Sequence, residues 1–238
     1  MEFTFFKGAI WQLIRQMDWV AIFILIGLFC LSIVCLAIVA FKYVSFRNQR
    51  RRLELLLHRL RSVKNFNEMI VLGREFQDSA GGRVIMKGLV EARLLIERNT
   101  PSKAGTENGN GHIVVASKDL NDLELAIGQA IDAVALEEES YLPILGTSAA
   151  ASPLIGLFGT IWGLIHAFVD ISQEKSADIA TVAPGMAEAL VVTLAGLLVA
   201  IPALVAFHYF SHELRKLEFG LNEIGERFVM VTKQTFVR

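Results

Sequence analysis

Residues 182–207 read VAPGMAEALVVTLAGLLVAIPALVAF, an apolar run that contains one carboxylic acid, Glu188. A helix needs about 20 residues to cross a bilayer, so this run is long enough to span a membrane. A carboxylate at membrane depth costs several kcal/mol, and such residues usually face a cavity or a partner and mark a path for ions or protons. The stretch therefore predicts a transmembrane helix with a functional acid.

Two further segments are long and apolar enough to cross a bilayer. Residues 19–41 contain no acidic or basic side chain, and residues 140–169 contain only His166. With residues 181–210 they make three candidate spans at about 20 residues per crossing. The chain is 53% hydrophobic, and its charge-free windows are longer than those of a soluble domain. We therefore expect an all-α integral membrane protein with three transmembrane helices.

The charges beside the first span predict its orientation. Seven basic residues and one acid lie between Lys42 and Arg61. By the positive-inside rule this flank faces the cytoplasm, which places the N-terminus outside and the C-terminus inside. The basic residues nearest the span, which can also contact lipid headgroups, are Lys42, Arg47, Arg50, Arg51 and Arg52.

The remaining segments complete the expected domain organisation. It comprises an outer interfacial helix at residues 1–18, a cytoplasmic helical domain at 42–139, an outer hairpin at 170–180 and a cytoplasmic C-terminal helix at 211–238. A Gly- and Asn-rich stretch at 99–112 predicts a flexible loop. No stop signal separates Phe207 from Leu214, so we expect the third span to continue as one long helix. We expect residues 120–139 to extend the second span in the same way.

Two apolar seams in these extensions predict helix packing. Apolar residues recur by three and four from Leu120 to Val134 and again from Leu214 to Val231. This periodicity is equally compatible with packing between the two extensions of one chain and with contact between subunits.

The second and third spans also carry small residues at steps of three and four, which places each set on one helical stripe. In a bilayer such stripes allow close approach of helix backbones. The positions are Gly156, Gly159 and Gly163 in the second span, and Gly185, Ala189, Gly196 and Ala200 in the third. We therefore expect these two spans to pack tightly against each other or against copies of themselves.

Hydroxyl groups accompany the stripes and have two interpretations. They belong to Thr147, Ser152, Thr160 and Thr193. Each can line a pore, or it can bond to a carbonyl of the preceding turn of its own helix. Glu188 also has a structural alternative, which is a protonated side chain bonded across the hairpin or reaching Lys175.

Two motifs resemble a known family. GLFGTIWGLIHAF (156–168) and APGMAEALVVTLAGLLVAIPA (183–203) are similar to the signature helices of the TolQ/ExbB/MotA proton-channel family. The resemblance implies a homopentameric ring in the bacterial inner membrane, whose second and third helices line a pore. It also implies a single-span partner, TolR-like or ExbD-like, that carries a membrane aspartate. Transferred position by position, it implies pore-facing roles for Thr160, Glu188 and Thr193.

The function that the resemblance implies is a subunit of a motor driven by the proton-motive force. The TolQ branch, which energises a TolA-like protein for outer-membrane integrity and constriction in cell division, is favoured. The ExbB branch, which drives TonB-dependent uptake through a TonB-like protein, is the alternative. Outside the family, the alternatives are a partner-independent permease or channel and a structural scaffold. The sequence contains no HExxH, GxSxG or Walker pattern, so we expect no enzyme activity, cofactor, metal or nucleic-acid partner.

Overall fold

The computed structural model describes residues 18–63, 65–99, 117–174 and 179–236. Within these ranges the chain forms the helices α1 (Trp19–Leu60), α2 (Phe66–Glu75), α3 (Ala80–Asn99), α4 (Ser117–Glu139), α5 (Leu142–Glu174) and α6 (Ile179–Phe236). Three of these, α1, α5 and α6, are long and apolar enough to cross a membrane. The expected all-helical architecture with three candidate spans is confirmed. The interfacial helix at 1–18, apart from Asp18, and the loop at 99–112, apart from Asn99, fall outside the described residues.

Local signals explain where α1 begins and why α6 is long. Asp18 is the N-cap of α1, because its carbonyl accepts the N–H of Ile22 at 3.1 Å, and aspartate is a preferred residue at this position. Neither α1 nor α6 is interrupted after its apolar segment, so α1 reaches Leu60 and α6 reaches Phe236. The residues that follow the first span, as far as Leu60, are therefore part of the same helix.

The second span, in contrast, is not continuous with the helix before it. Tyr141 lies between α4 and α5 with a φ of 71°, in the left-handed region that residues other than glycine rarely adopt. Pro143 lies in the first turn of α5, where proline is favoured, and it has no N–H to donate to the carbonyl of Glu139. The expectation that residues 120–139 and the second span form one long helix is therefore wrong.

The described residues within 1–42 and 141–209 form one compact unit, here called the membrane unit. In its described part, Ala21, Ile24 and Leu28 of α1 pack against Val192 and Val199 of α6. The outward faces of its helices carry large exposed apolar side chains, among them Phe23, Phe29, Leu154, Phe158, Leu190 and Ile201. Such faces are typical of helices that contact lipid or neighbouring subunits.

The described residues within 43–140 and 210–238 form a second compact unit, here called the bundle unit. Within it α2 packs on α3, and α3 packs on α4. The two predicted seams are buried from Leu123 to Val134 and from Leu214 to Val231. A Cβ at Gly225 would lie only 2.9 Å from the Cγ2 atom of Ile127. The seams therefore meet within one chain, which is one of the two arrangements that the periodicity left open.

Candidate functional site

The small-residue stripes of α5 and α6 bring the two backbones into contact. A Cβ on Gly196 would lie 2.6 Å from the carbonyl oxygen of Ser152. A Cβ on Gly156 would lie 3.1 Å from the Cα of Thr193. Both neighbours are backbone atoms, so only glycine fits at these two positions without moving a helix. The tight packing expected of the second and third spans is present within a single chain.

The other small residues of the stripes are consistent with this contact. A Cβ on Gly163 would lie 2.9 Å from that of Ala189, and a Cβ on Gly185 would lie at an ordinary 3.4 Å from that of Ala167. The remaining two positions, both buried, are Gly159 and Ala200.

The four hydroxyl residues differ in what they bond. Ser152 and Thr160 donate to carbonyls of the preceding turn of α5, at 2.6 and 2.7 Å, which is the local alternative described above. Thr193 instead donates across the helix contact to the carbonyl of Gly156, at 3.1 Å. Thr147 is exposed. Of the four, Thr193 is therefore the residue whose hydroxyl connects the two spans in the described structure.

Glu188, near the N-terminal end of α6, contacts the start of α1. Its Oε1 atom accepts the backbone N–H of Asp18 at 2.9 Å. The N–H of an N-cap residue has no acceptor within its own helix. In a capping box, a glutamate of the same helix accepts the N–H of the N-cap residue. Here Glu188 accepts that N–H from a different helix. The anticipated contact with Lys175 lies outside the described residues, and the bond described for Glu188 is the one to Asp18.

The side chain of Asp18 extends this contact to α5. The Nε1 atom of Trp162 donates to Oδ2 of Asp18 at 2.9 Å, and Nε2 of His166 lies 3.9 Å from the same oxygen. The four residues Asp18, Trp162, His166 and Glu188 therefore connect all three candidate spans at one end of the membrane unit. Two signals could have indicated this cluster. Aspartate directly before an apolar run is a typical N-cap, and a partly buried tryptophan N–H needs an acceptor.

The basic residues after the first span have different environments. Lys42 is buried, with 2% of its surface exposed, and its Nζ atom lies 6.0 Å from the centroid of the Tyr141 ring. Its ammonium group is therefore directed at protein. The others keep access to their surroundings, with Arg47, Arg50 and Arg51 exposed and Arg52 half-buried.

Comparison with known proteins identifies relatives over this region. A model described as the MotA/TolQ/ExbB proton channel family matches residues 78–222. The biopolymer transport protein ExbB of Salmonella typhimurium is 29% identical over 94% of this chain and 86% of its own length. The Tol-Pal system protein TolQ of Haemophilus influenzae is 41% identical over 48% of this chain and 49% of its own length. The TolQ of Pseudomonas aeruginosa is 48% identical over 33% of this chain and 36% of its own length.

The matched segment includes all of α5 and the part of α6 that carries Glu188 and Thr193. It covers more than half of the chain, and the resemblance inferred from the two motifs is confirmed. Relatives of both names match, so their identities do not separate the TolQ branch from the ExbB branch. With its three apolar helices, the chain is a multi-pass inner-membrane protein that belongs to the MotA/TolQ/ExbB proton channel family.

Proposed function

We propose that this chain is a TolQ-like subunit of a motor driven by the proton-motive force. In this role it acts with a TolR-like single-span protein and energises a TolA-like protein, which supports outer-membrane integrity and constriction in cell division. The observation that carries the proposal is Glu188, a half-buried acid in an apolar helix of a proton channel family member. An acid in this setting is typical of a proton path.

One chain has too few titratable groups to move a proton across the bilayer. After Glu188, the next acidic or basic side chain of α6 is His208. The separation of about 20 residues corresponds to about 30 Å of helix, which is the thickness of the hydrocarbon core. A second protein with an acid in its span would bridge this distance. The proposal therefore includes a TolR-like or ExbD-like partner with a membrane aspartate.

The proposed assembly is a homopentameric ring whose α5 and α6 helices line the pore. Thr160, Glu188 and Thr193 are the proposed pore-facing residues. Each of the three is half-buried in the single chain, so each keeps an accessible side that a pore could hydrate. The exposed arginines after the first span support a periplasmic N-terminus and a cytoplasmic C-terminus.

Proton flux into liposomes tests the channel part of the proposal. The purified chain is reconstituted with and without its TolR-like partner, and flux under an imposed gradient is followed with an enclosed pH-sensitive dye. We expect flux only with the partner, and loss of flux in Glu188→Gln. Glu124→Gln, at an exposed position of α4, is the matched control and should conduct normally.

Proton flux and motor output together separate the two alternatives from outside the family, a partner-independent channel and a structural scaffold. Flux from the chain alone would contradict the proposal and support a partner-independent channel or permease. Normal motor output from Glu188→Ala and Thr193→Val, with normal assembly, would contradict it in favour of a structural scaffold.

Complementation separates the two branches of the family. The proposal expects the chain to restore detergent resistance and normal constriction to a strain that lacks TolQ. It expects no TonB-dependent uptake in a strain that lacks ExbB. The preference for the TolQ branch rests on the resemblance of the two motif helices, since relatives of both names match the chain at similar identity over short segments. The opposite complementation pattern would assign the chain to the ExbB-like alternative with a TonB-like protein.

A further inference from the structure

Asp18 makes two hydrogen bonds that lead from α5 to Glu188. Its carboxylate accepts the indole N–H of Trp162 at 2.9 Å, and its backbone N–H donates to Glu188, also at 2.9 Å. One residue at the start of α1 thus connects a rigid aromatic side chain of α5 to the acid of α6. One bond uses the side chain and the other the backbone N–H of the same residue, so a shift of Asp18 changes both.

The Trp162 ring is itself held on both sides. Its centroid lies 6.4 Å from that of Phe158 and 5.1 Å from that of His166, one turn before and one turn after it on α5. An indole has only two side-chain torsions and a single N–H donor. With its ring confined between two neighbours, Trp162 provides a fixed point for the Asp18 carboxylate.

Glu188 needs such support because its side chain has three torsions and can place its carboxyl group in several positions. Proton transfer requires donor and acceptor within hydrogen-bond distance, so the position of the carboxyl group affects the rate. The bond from Asp18 holds Oε1 against the start of α1. Besides Glu188, the titratable side chain near Asp18 on the described elements is His166, whose Nε2 atom lies 3.9 Å from the Asp18 carboxylate, beyond hydrogen-bond distance.

We infer that Asp18 is a positioning residue for the Glu188 carboxyl group, held in place by the indole N–H of Trp162. This inference rests on the proposed role of Glu188 in proton transfer. Asp18 acts here through its shape and hydrogen bonds. Its negative charge is not required, because an amide oxygen at the same position also accepts the indole N–H.

The test compares Asp18→Ala, Asp18→Asn and Trp162→Phe as full-length chains reconstituted with the TolR-like partner. Flux is normalised to the amount of assembled complex. Asp18→Ala and Trp162→Phe should each lower flux by about 10-fold, the effect expected from losing one hydrogen bond. Asp18→Asn should retain flux. The double variant Asp18→Ala/Trp162→Phe should be no worse than either single variant, because both remove the same bond.

Two matched controls accompany these variants. Asp170→Ala changes an exposed aspartate near the C-terminal end of α5, and Trp19→Phe changes a tryptophan that is 75% exposed. Both should leave flux unchanged. Equal loss in Asp18→Asn and Asp18→Ala would overturn the inference by assigning the effect to the charge. Additive losses in the double variant would also overturn it. Reduced assembly of Asp18→Ala with unchanged flux per complex would overturn it as well, because this is the result expected if Asp18 acts only as a helix cap.

A readout that does not depend on flux separates this inference from the proposed function. In a Trp11→Phe/Trp19→Phe background Trp162 is the sole tryptophan. Asp18→Ala should shift its fluorescence emission and Asp18→Asn should not, whether or not the complex conducts. Unshifted emission in Asp18→Ala would overturn the inference while the proposed function stands. Absence of partner-dependent flux in the unmodified chain would instead overturn the proposed function.

Discussion

Replacing Gly196 by alanine tests the contact between α5 and α6 at its closest point. A Cβ at this position would lie 2.6 Å from the carbonyl oxygen of Ser152 and 3.2 Å from the Cα of Gly156. Both are backbone atoms of α5, so no side-chain rotation can relieve the overlap. The two helices would have to move apart by about 0.7 Å to reach the roughly 3.3 Å at which carbon packs against a carbonyl oxygen.

Two opposing effects set the size of the change. Overpacking of a well-packed contact costs about 1–3 kcal/mol. Replacing glycine by alanine inside a helix recovers about 0.5–1 kcal/mol of backbone entropy. We therefore expect Gly196→Ala to lower the free energy of unfolding by about 0.5–2 kcal/mol, the difference between these two effects.

Gly27 provides the matched control, since a Cβ there would meet nothing within 4 Å. Gly27→Ala lies in a candidate span as well, and should be at least as stable as the unmodified protein. Gly185→Ala, where the new contact would be an ordinary 3.4 Å, should be close to neutral. The free energy of unfolding is measured in detergent micelles by near-ultraviolet circular dichroism. If Gly196→Ala is as stable as Gly27→Ala, the close approach of the two backbones is refuted.

Three other substitutions are measured by the same unfolding assay. Thr193→Val should lower the free energy of unfolding by about 0.6–1 kcal/mol, because it removes a hydrogen bond between two membrane helices. Thr160→Val should lower it less, since its bond lies within one helix. Equal losses in the two variants would contradict this assignment. Tyr141→Gly should be about 1 kcal/mol more stable than Tyr141→Ala, because only glycine adopts a φ of 71° without strain, and a smaller difference would argue against the strained turn. Arg83→Ala removes a guanidinium that lies 2.9 Å from the buried carboxylate of Glu138 on α4, and should lower the free energy of unfolding by about 2 kcal/mol. Arg93→Ala, in an exposed pair with Glu97, should lower it by less than about 0.5 kcal/mol. Similar losses in the two variants would show that burial does not strengthen the first pair.

Packing between the two motif helices could be anticipated from their composition. Leucine is equally stable against lipid and against protein, so a stripe of small residues in a membrane helix indicates close backbone contact. The contacts at Gly156 and Gly196 agree with this expectation. Periodicity alone could not choose the partner of the apolar seams, because any apolar surface buries them equally well; the contact of Gly225 with Ile127 places that partner in the same chain.

The break between α4 and α5 was missed although a signal for it exists. The apolar pattern runs through residues 120–169 with helical spacing, which favoured a single helix. Pro143 is a preferred residue for the first turn of a helix, and its position two residues after Tyr141 marks the start of α5. Proline by itself does not decide a break, because Pro153 and Pro202 lie inside α5 and α6.

The number of spans can be derived from sequence because bilayer thickness requires a minimum run of consecutive apolar residues, which is a local property. The uninterrupted course of α6 is local in the same sense, since it needs only the absence of a stop signal between Phe207 and Leu214. The bond between Asp18 and Glu188 joins residues 170 positions apart. No periodicity relates residues at that distance, and the contact exists only because folding brings the ends of three helices together.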